Sequence, residues 1–243
     1  DKHLPKVVEL LTERGLSLAW SVCVGDDRPR LTRVLQEARA SGDVVFSCGG
    51  IGATPDDHTR QCAAAALGVE LALHPQAKAL IEERMRETAQ AQGEPYEADR
   101  ADNVQRLQMG VFPVGANIIP NPYNKIPGFS CGSVYFVPGF PVMAWPMIEW
   151  VLDTHYPHLF RTAAWIEQSV IVFGAMEATL TPLMETLERD FAGVKVFSLP
   201  SVDHPQYGRH IELGVKGDPT LVSQAYPALL AGLRQFNAQL GPE

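Results

Sequence analysis

"SCGGIGATPDDHTRQCAAAALG", residues 47–68, is the densest stretch of the chain, and its reading decides the fold. An apolar run, Val44-Val45-Phe46, leads into Gly49, Gly50 and Gly52, and an alanine-rich helical segment follows. Two readings compete. In the first, Thr54-Pro55-Asp56-Asp57 only starts a helix: Thr54 at the N-cap, Pro55 at the first helical position, and the two acids at the positive helix end. The aspartates then contribute about 1 kcal/mol of helix stability. That reading leaves the glycines without a purpose. In the second, three glycines let the backbone approach a ligand and turn successive N–H groups inward. A helix N-terminus at the carboxyl end of a parallel strand is a ready phosphate site. Asp56 and Asp57 would repel a phosphate unless a divalent cation (magnesium, manganese or cobalt) lies between, completing its shell with phosphate oxygens.

Working outward, the first 70 residues alternate between helix and strand patterns. Residues 1–14 carry Leu4, Val7, Val8, Leu10 and Leu11 at helical spacing, closed by Gly15. LSLAWSVCV, residues 16–24, reads as a strand, 29–40 as a helix, 43–48 as a buried strand, and 55–67 as a helix ended by Gly68. Apolar strands between helices predict an α/β fold, three layers deep, with a mostly parallel sheet. Helices follow over 75–92 and 97–109. Residues 110–147 then change texture, with seven prolines interleaved with glycines around short β-like runs at 116–119 and 133–137. These are loops and edge strands folded over a site. A helix over 141–153 closes this part, and the boundary falls near 154–163. Strands at 164–174, 194–199 and 209–215 with helices at 175–189 and 218–239 predict a small α+β unit in the order β-α-β-β-α. The expected domains are therefore 1–155 and 163–243.

Composition bounds the function. The chain has 243 residues, 46% hydrophobic and 20% charged, with a net charge of −8. An acidic chain lacks the basic face that nonspecific nucleic-acid binding needs, and no apolar run is long enough for a membrane span. Four scattered cysteines, without a CxxC pair, read as reduced and mostly buried thiols, consistent with a cytoplasmic protein. The small domain's element order is like that of KH units. Residues 163–243 carry five Lys/Arg against nine Asp/Glu, so docking or dimerisation is expected there rather than RNA binding.

"GGIGATPDDHT" resembles the signature GGxGxTxDDxT of the molybdopterin-binding (MoaB/Mog-like) family, in the branch of the competence/damage-inducible proteins (CinA) and the FAD synthase N-terminal domain. Gly49, Gly50, Gly52, Thr54, Asp56, Asp57 and Thr59 meet its fixed positions. "FPVGANIIPNPYNKIPGF" (112–129) and "VPGFPVMAWPM" (137–147) are similar to two further family segments, so the resemblance covers nearly the whole chain. It implies a three-layer α/β fold and binding of a pterin or nucleotide phosphate near these loops. It also implies, as in some relatives, metal-dependent hydrolysis of the pyrophosphate of ADP-ribose or FAD, with Asp56 and Asp57 as metal ligands and catalytic groups. The alternative is a non-catalytic binder of molybdopterin or a nucleotide. Two departures bear on the choice. Met143 stands where the family's loop carries a glutamate, and the family's first strand, ending in Gly-Asp-Glu, has no counterpart before residue 1. The natural protein is expected to begin earlier and to form homo-oligomers.

Other candidates have local explanations as well. Asp26 and Asp27 fit a turn and a helix cap, and His58 fits a solvated first helical turn. Asn103 and Arg106, at i and i+3, form a surface polar pair or, by the resemblance, face the site, where Arg106 would neutralise phosphate. Asn121 and Lys125 flank a proline-rich loop, with Lys125 the best lysine for a phosphate contact. The N–H groups around Gly139 either help hold an anion or make a tight turn.

Overall fold

The structure, a computed structural model, describes residues 2–161, 165–236 and 238–241. The expected domain ranges also include residues 1, 163, 164, 237, 242 and 243, which lie outside the described residues. The chain divides into two compact units, 1–160 and 161–243.

The first unit opens with helices α1 (His3–Glu13) and α2 (Arg28–Ser41), the latter capped by the Asp27 carboxylate, which accepts from Arg30 N at 2.8 Å. Strand β1 (Val45–Cys48), helix α3 (Thr59–Leu67), strand β2 (Leu71–Leu73) and helix α4 (Pro75–Gln92) follow. Gly68 and Gly93, both left-handed, end the two helices where the chain pattern places the stops. Helix α5 (Ala101–Leu107) leads into β3 (Val111–Pro113), β4 (Asn117–Ile119), β5 (Gly128–Cys131), β6 (Val134–Val137) and helix α6 (Pro141–His155).

The main sheet has the order β1-β6-β5-β4. β1 and β6 run parallel, with Val45 opposite Val134 and Cys48 opposite Val137, while β5 and β4 continue the sheet antiparallel. β2 and β3 form a separate antiparallel pair. The period-2 alternation of β6 serves two cores. Val134 and Phe136 face a cluster with Leu35, Cys62, Ala63, Ala77, Phe112 and Phe129, and Tyr135 and Val137 face Leu10, Ala144, Met147, Ile148, Val151 and Leu152. Helices α2, α3 and α4 thus cover one face and α1 and α6 the other, which is the three-layer α/β arrangement.

Two local expectations fail. Residues 16–24 carry the alternation of a strand but enter no ladder among the described residues, and Leu18, Trp20 and Val22 are exposed. Alternation fixes which side chains share a face; it does not supply a neighbouring strand, and a lone strand has no partner for its backbone groups. The thiols are also less buried than expected: among the described residues all four are free, but Cys23 and Cys48 are exposed and only Cys62 is buried.

The second unit contains β7 (Ile166–Phe173), α7 (Glu177–Asp190), β8 (Lys195–His204), β9 (Gly208–Gly217), α8 (Pro219–Arg234) and β10 (Gln239–Leu240). Its antiparallel sheet, ordered β10-β7-β9-β8, packs through Val170, Val172, Leu213 and Val215 on Leu180, Leu187, Val222, Leu229 and Leu233 of the helices. The expected last helix stops at Arg234, five residues early. The chain then returns as β10, pairing Gln239 with Phe173.

Candidate functional site

The parallel pair β1–β6 brings two turns together at its carboxyl end. Gly49 N donates to Val137 O at 2.9 Å, and a β-carbon placed on Gly139 would lie 3.4 Å from the Gly49 α-carbon. The glycine turn therefore packs backbone to backbone against the turn after β6. Gly49 (φ +100°) and Gly50 (φ +69°) occupy the left-handed region that side chains rarely tolerate. A β-carbon on Gly50 would also sit 2.2 Å from Thr59 Oγ1, and one on Gly52 2.5 Å from Asp57 Oδ2.

The Thr54–Asp57 segment does not start the helix. It forms a closed turn of its own, in which Asp57 N donates to Thr54 O at 3.0 Å. Asp57 Oδ2 accepts in return from Thr54 N at 3.0 Å and from Thr54 Oγ1 at 2.6 Å. α3 begins only at Thr59, whose N–H donates to Gly50 O and whose hydroxyl donates to Gly49 O at 3.1 Å. The capping sequence is real chemistry, but Pro55 at the second position of a four-residue turn serves a β-turn as well as a helix start. The closing bonds to Gly49 and Gly50 decide which forms.

The consequence is a run of unused donors. Among the described residues, the N–H groups of Gly50, Ile51, Gly52 and Ala53 meet no acceptor, whereas those on either side, Gly49 and Thr54, are bonded. Four successive amides beside two left-handed glycines are donors left open to solvent or a ligand.

Structure adds a residue that spacing does not reveal. Arg60, 5% exposed, donates through Nη1 to Gln108 O and through Nη2 to Gly52 O. Burial pulls the pKa of its guanidinium down, and the Asp57 carboxylate opposes that shift. Gln105 Nε2 donates to Ala53 O at 2.9 Å. Together they tie the glycine turn to α5 and the 3-10 turn Gln108–Gly110 behind it. The only sequence signal for Arg60 is a cation one residue past the motif, which ordinarily reads as a solvated helix position. On the other flank, Arg28 Nη2 meets His58 Nδ1 at 2.9 Å, which places the Asp26-Asp27 turn beside the start of α3.

The remaining expected site residues separate into near and committed. Asp56 is exposed, and hydrogen bonding within the turn, first with the Thr54 side chain that it shares with Asp57 and then with its own backbone N–H, holds its carboxyl below the usual carboxylate range. Asn103 is buried and committed: its Nδ2 donates to Glu97 O at 2.7 Å, and its Oδ1 accepts from Arg106 Nη1 at 2.9 Å. Arg106 also pairs with Asp102 at 3.3 Å. Asn121 spends its amide within its own loop, on Asn124 Oδ1, Ile126 O and Tyr123 N. Lys125 Nζ lies 2.6 Å from Glu83 and 2.5 Å from Glu87, and these two carboxylates raise its pKa. Asn124 Nδ2 reaches Met143 Sδ at 3.6 Å, so residue 143 does border these loops.

The two acids of the turn do not form a metal cage alone. Among the described residues no group of three or more His, Cys, Asp or Glu side chains gathers where it could hold an ion. Asp57 has one oxygen unused by Thr54, and Asp56 is open to solvent, a donor set that suits a magnesium-type ion only if ligand phosphates complete the shell.

Comparison with known proteins fixes the family. Residues 1–159 match the model described as "Probable molybdopterin binding domain". The chain belongs to the molybdopterin-binding domain family. Within it, the chain is similar to a CinA-like protein of Anaeromyxobacter dehalogenans, 34% identical over 164 residues, covering 65% of this chain and 37% of the relative. A CinA-like protein of Geobacter sp. (strain M21) is 31% identical over 191 residues, covering 76% of this chain and 43% of that one. The chain thus spans about two-fifths of the length of these CinA-like relatives. The crystal structure of the CinA protein from Thermoplasma acidophilum aligns with a TM-score of 0.52 at 25% identity, over 63% of this chain and 87% of that one. Among the described residues no helix is long and apolar enough to cross a membrane.

Proposed function

We propose that the first unit binds the phosphate of a nucleotide or pterin on the amides of Gly50, Ile51, Gly52 and Ala53. The single observation that supports this is the run of four unbonded N–H groups in a turn whose glycines cannot be replaced without strain or collision. Thr59 and Arg60 fasten the carbonyls of Gly49 and Gly52, and so aim the opposite, N–H side of the turn outward. The donors are then fixed before the ligand arrives, which removes the ordering cost of binding. Asp56 and Asp57 would hold a divalent cation between the turn and the phosphate. Bound there, such an ion supplies Lewis-acid polarisation of a phosphoryl oxygen and a more acidic water.

The reaction proposed for the site is hydrolysis of a pyrophosphate in ADP-ribose, FAD or a similar dinucleotide. In it the chain's own residues hold one phosphate on the amides and place the second beside the Asp56 carboxylate. A second reading, a binder without turnover, is favoured by a specific observation. Residue 143 is methionine and lies against Asn124, so no carboxylate is available from that position as a base or an ion ligand.

The test is to incubate the protein with ADP-ribose and FAD under magnesium, manganese or cobalt, follow AMP release, and measure binding calorimetrically in parallel. Turnover that Asp57→Ala abolishes while the fold survives supports the hydrolase. Binding without AMP under any metal leaves the binder. No binding by any phosphate-bearing ligand overturns both.

A further inference from the structure

Arg60 has partners that do not match its charge. The side chain is 5% exposed, and its guanidinium donates to two neutral groups, Gln108 O and Gly52 O. Its Nε, buried as well, meets no acceptor. Other cations of the unit pair with carboxylates, Arg14 with Asp153, Arg100 with Asp102 and Lys125 with Glu83, but among the described residues no carboxylate forms an ion pair with Arg60. A buried charge ordinarily finds a counter-charge, because an isolated one is costly away from water. Residue 60 also lies outside the fixed positions of the GGxGxTxDDxT signature, which ends at Thr59. Its place in the turn shows where the missing counter-charge belongs. Arg60 bonds the carbonyl of the Gly52–Ala53 peptide, and the other end of that same peptide, Ala53 N–H, is one of the four open donors. A cation on a carbonyl oxygen draws electron density out of the amide and strengthens its N–H as a donor. The neighbouring carbonyls have neutral partners: Thr59 holds Gly49 O and Gly50 O, and the Gln105 amide holds Ala53 O. Among the described residues, a full charge backs an open donor of the turn at Ala53 alone.

We propose that Arg60 is a positioning residue whose charge, and not only its hydrogen bonds, holds the anion: it acts through the Gly52–Ala53 peptide and makes Ala53 N–H the dominant donor of the run. The proposal rests on the reading that an anion sits on the amides of Gly50–Ala53. The bound anion then supplies the counter-charge that Arg60 lacks, across one peptide group. The guanidinium needs neither exposure to solvent nor reach to the ligand. Enclosed in this way it is screened little by salt, unlike a surface cation.

The experiment is calorimetric titration of the whole chain with inorganic pyrophosphate in magnesium, with the amide resonances of Gly50–Ala53 followed by NMR in parallel. It compares the wild type with Arg60→Gln and Arg60→Lys. Both variants lose the fork across two carbonyls and keep a donor for one of them, but only lysine keeps the charge. Arg60→Gln is expected to weaken pyrophosphate about tenfold or more, the scale of two charges several ångströms apart inside a protein, and to shrink the shift of the Ala53 amide more than that of Gly50. Arg60→Lys is expected to stay within about threefold of the wild type, since the Coulomb attraction survives. Equal weakening in the two variants assigns Arg60 to fastening alone and overturns the proposal, as does wild-type affinity in both. Should Arg60→Gln fail to fold, Arg60→Lys decides: retained affinity supports the charge, and a loss of about tenfold or more overturns it. If the wild type does not bind pyrophosphate, or binds it without moving the Ala53 amide, the seat on the turn itself is wrong and this proposal falls with it.

Discussion

Two loops of the first unit look equally functional as sequence and differ sharply as structure. The turn Gly49–Asp57 and the loop Asn121–Lys125 both offer polar residues beside glycine or proline. In the second, every polar group named as a candidate is spent. Asn121 holds its own loop together, and Lys125 is neutralised by Glu83 and Glu87. In the first, the side chains are largely spent as well, Asp57 on Thr54 and Thr59 on Gly49, but spending them frees the backbone. The lesson is that a polar side chain marks a site poorly when a structural partner is within reach. An unbonded backbone donor marks it better, because proteins leave few such groups idle.

The sharpest way to break that comparison is Gly50→Ala. A β-carbon there meets Thr59 Oγ1 at 2.2 Å in a left-handed conformation, so the turn must shift, at a cost of about 2–4 kcal/mol. Phosphate-ligand affinity is expected to be lost in calorimetry and the melting temperature to fall. Retained affinity would remove the turn from the site. Next is Arg60→Met, which keeps most of the volume but leaves the carbonyls of Gly52 and Gln108 without their charged donor. Denaturant unfolding is expected to show a loss of about 2–3 kcal/mol. A neutral result would mean that the clamp does not hold the turn.

Asp57→Asn should act more gently. It still accepts from Thr54, with an expected loss of about 1 kcal/mol or less, but it removes a charge from the proposed cation seat. Metal dependence of binding, rather than the melting curve, is where its effect should appear. The pH profile sharpens the same point. The Asp56 carboxyl is held below the usual carboxylate range in the fold, so its contribution is present above the ordinary carboxylate pKa and lost as pH falls through the depressed value. Cation-dependent binding should be level near neutrality and decline only in acid; a decline centred near neutral pH would contradict the assignment. The smallest effect is expected for Lys125→Ala, within about 0.5–1 kcal/mol, since exposed ion pairs contribute little, and with ligand affinity unchanged. A clear fall in affinity would return Lys125 to the site and end the contrast between the loops.

Much of this protein is determined by its sequence alone. Helical spacing places α2, α4 and α6, and Gly93 stops α4. The apolar run before the glycines marks β1, and Gly49 and Gly50 mark a turn that side chains rarely tolerate, because φ is limited by each residue's own sterics. Pairing is different. The alternation over 16–24 finds no neighbour, and β10 takes residues that continue a helical pattern, because ladders and helix ends depend on what lies across space. Only the tertiary structure decides that Thr54–Asp57 closes on itself rather than capping α3, through bonds from Thr59 to Gly49 and Gly50. It likewise decides that Arg60 is buried against two carbonyls while Lys125 is held by two carboxylates. Residue type states what a side chain can do. Which partner arrives first is settled by the fold, and the groups left without one are those that remain for a ligand.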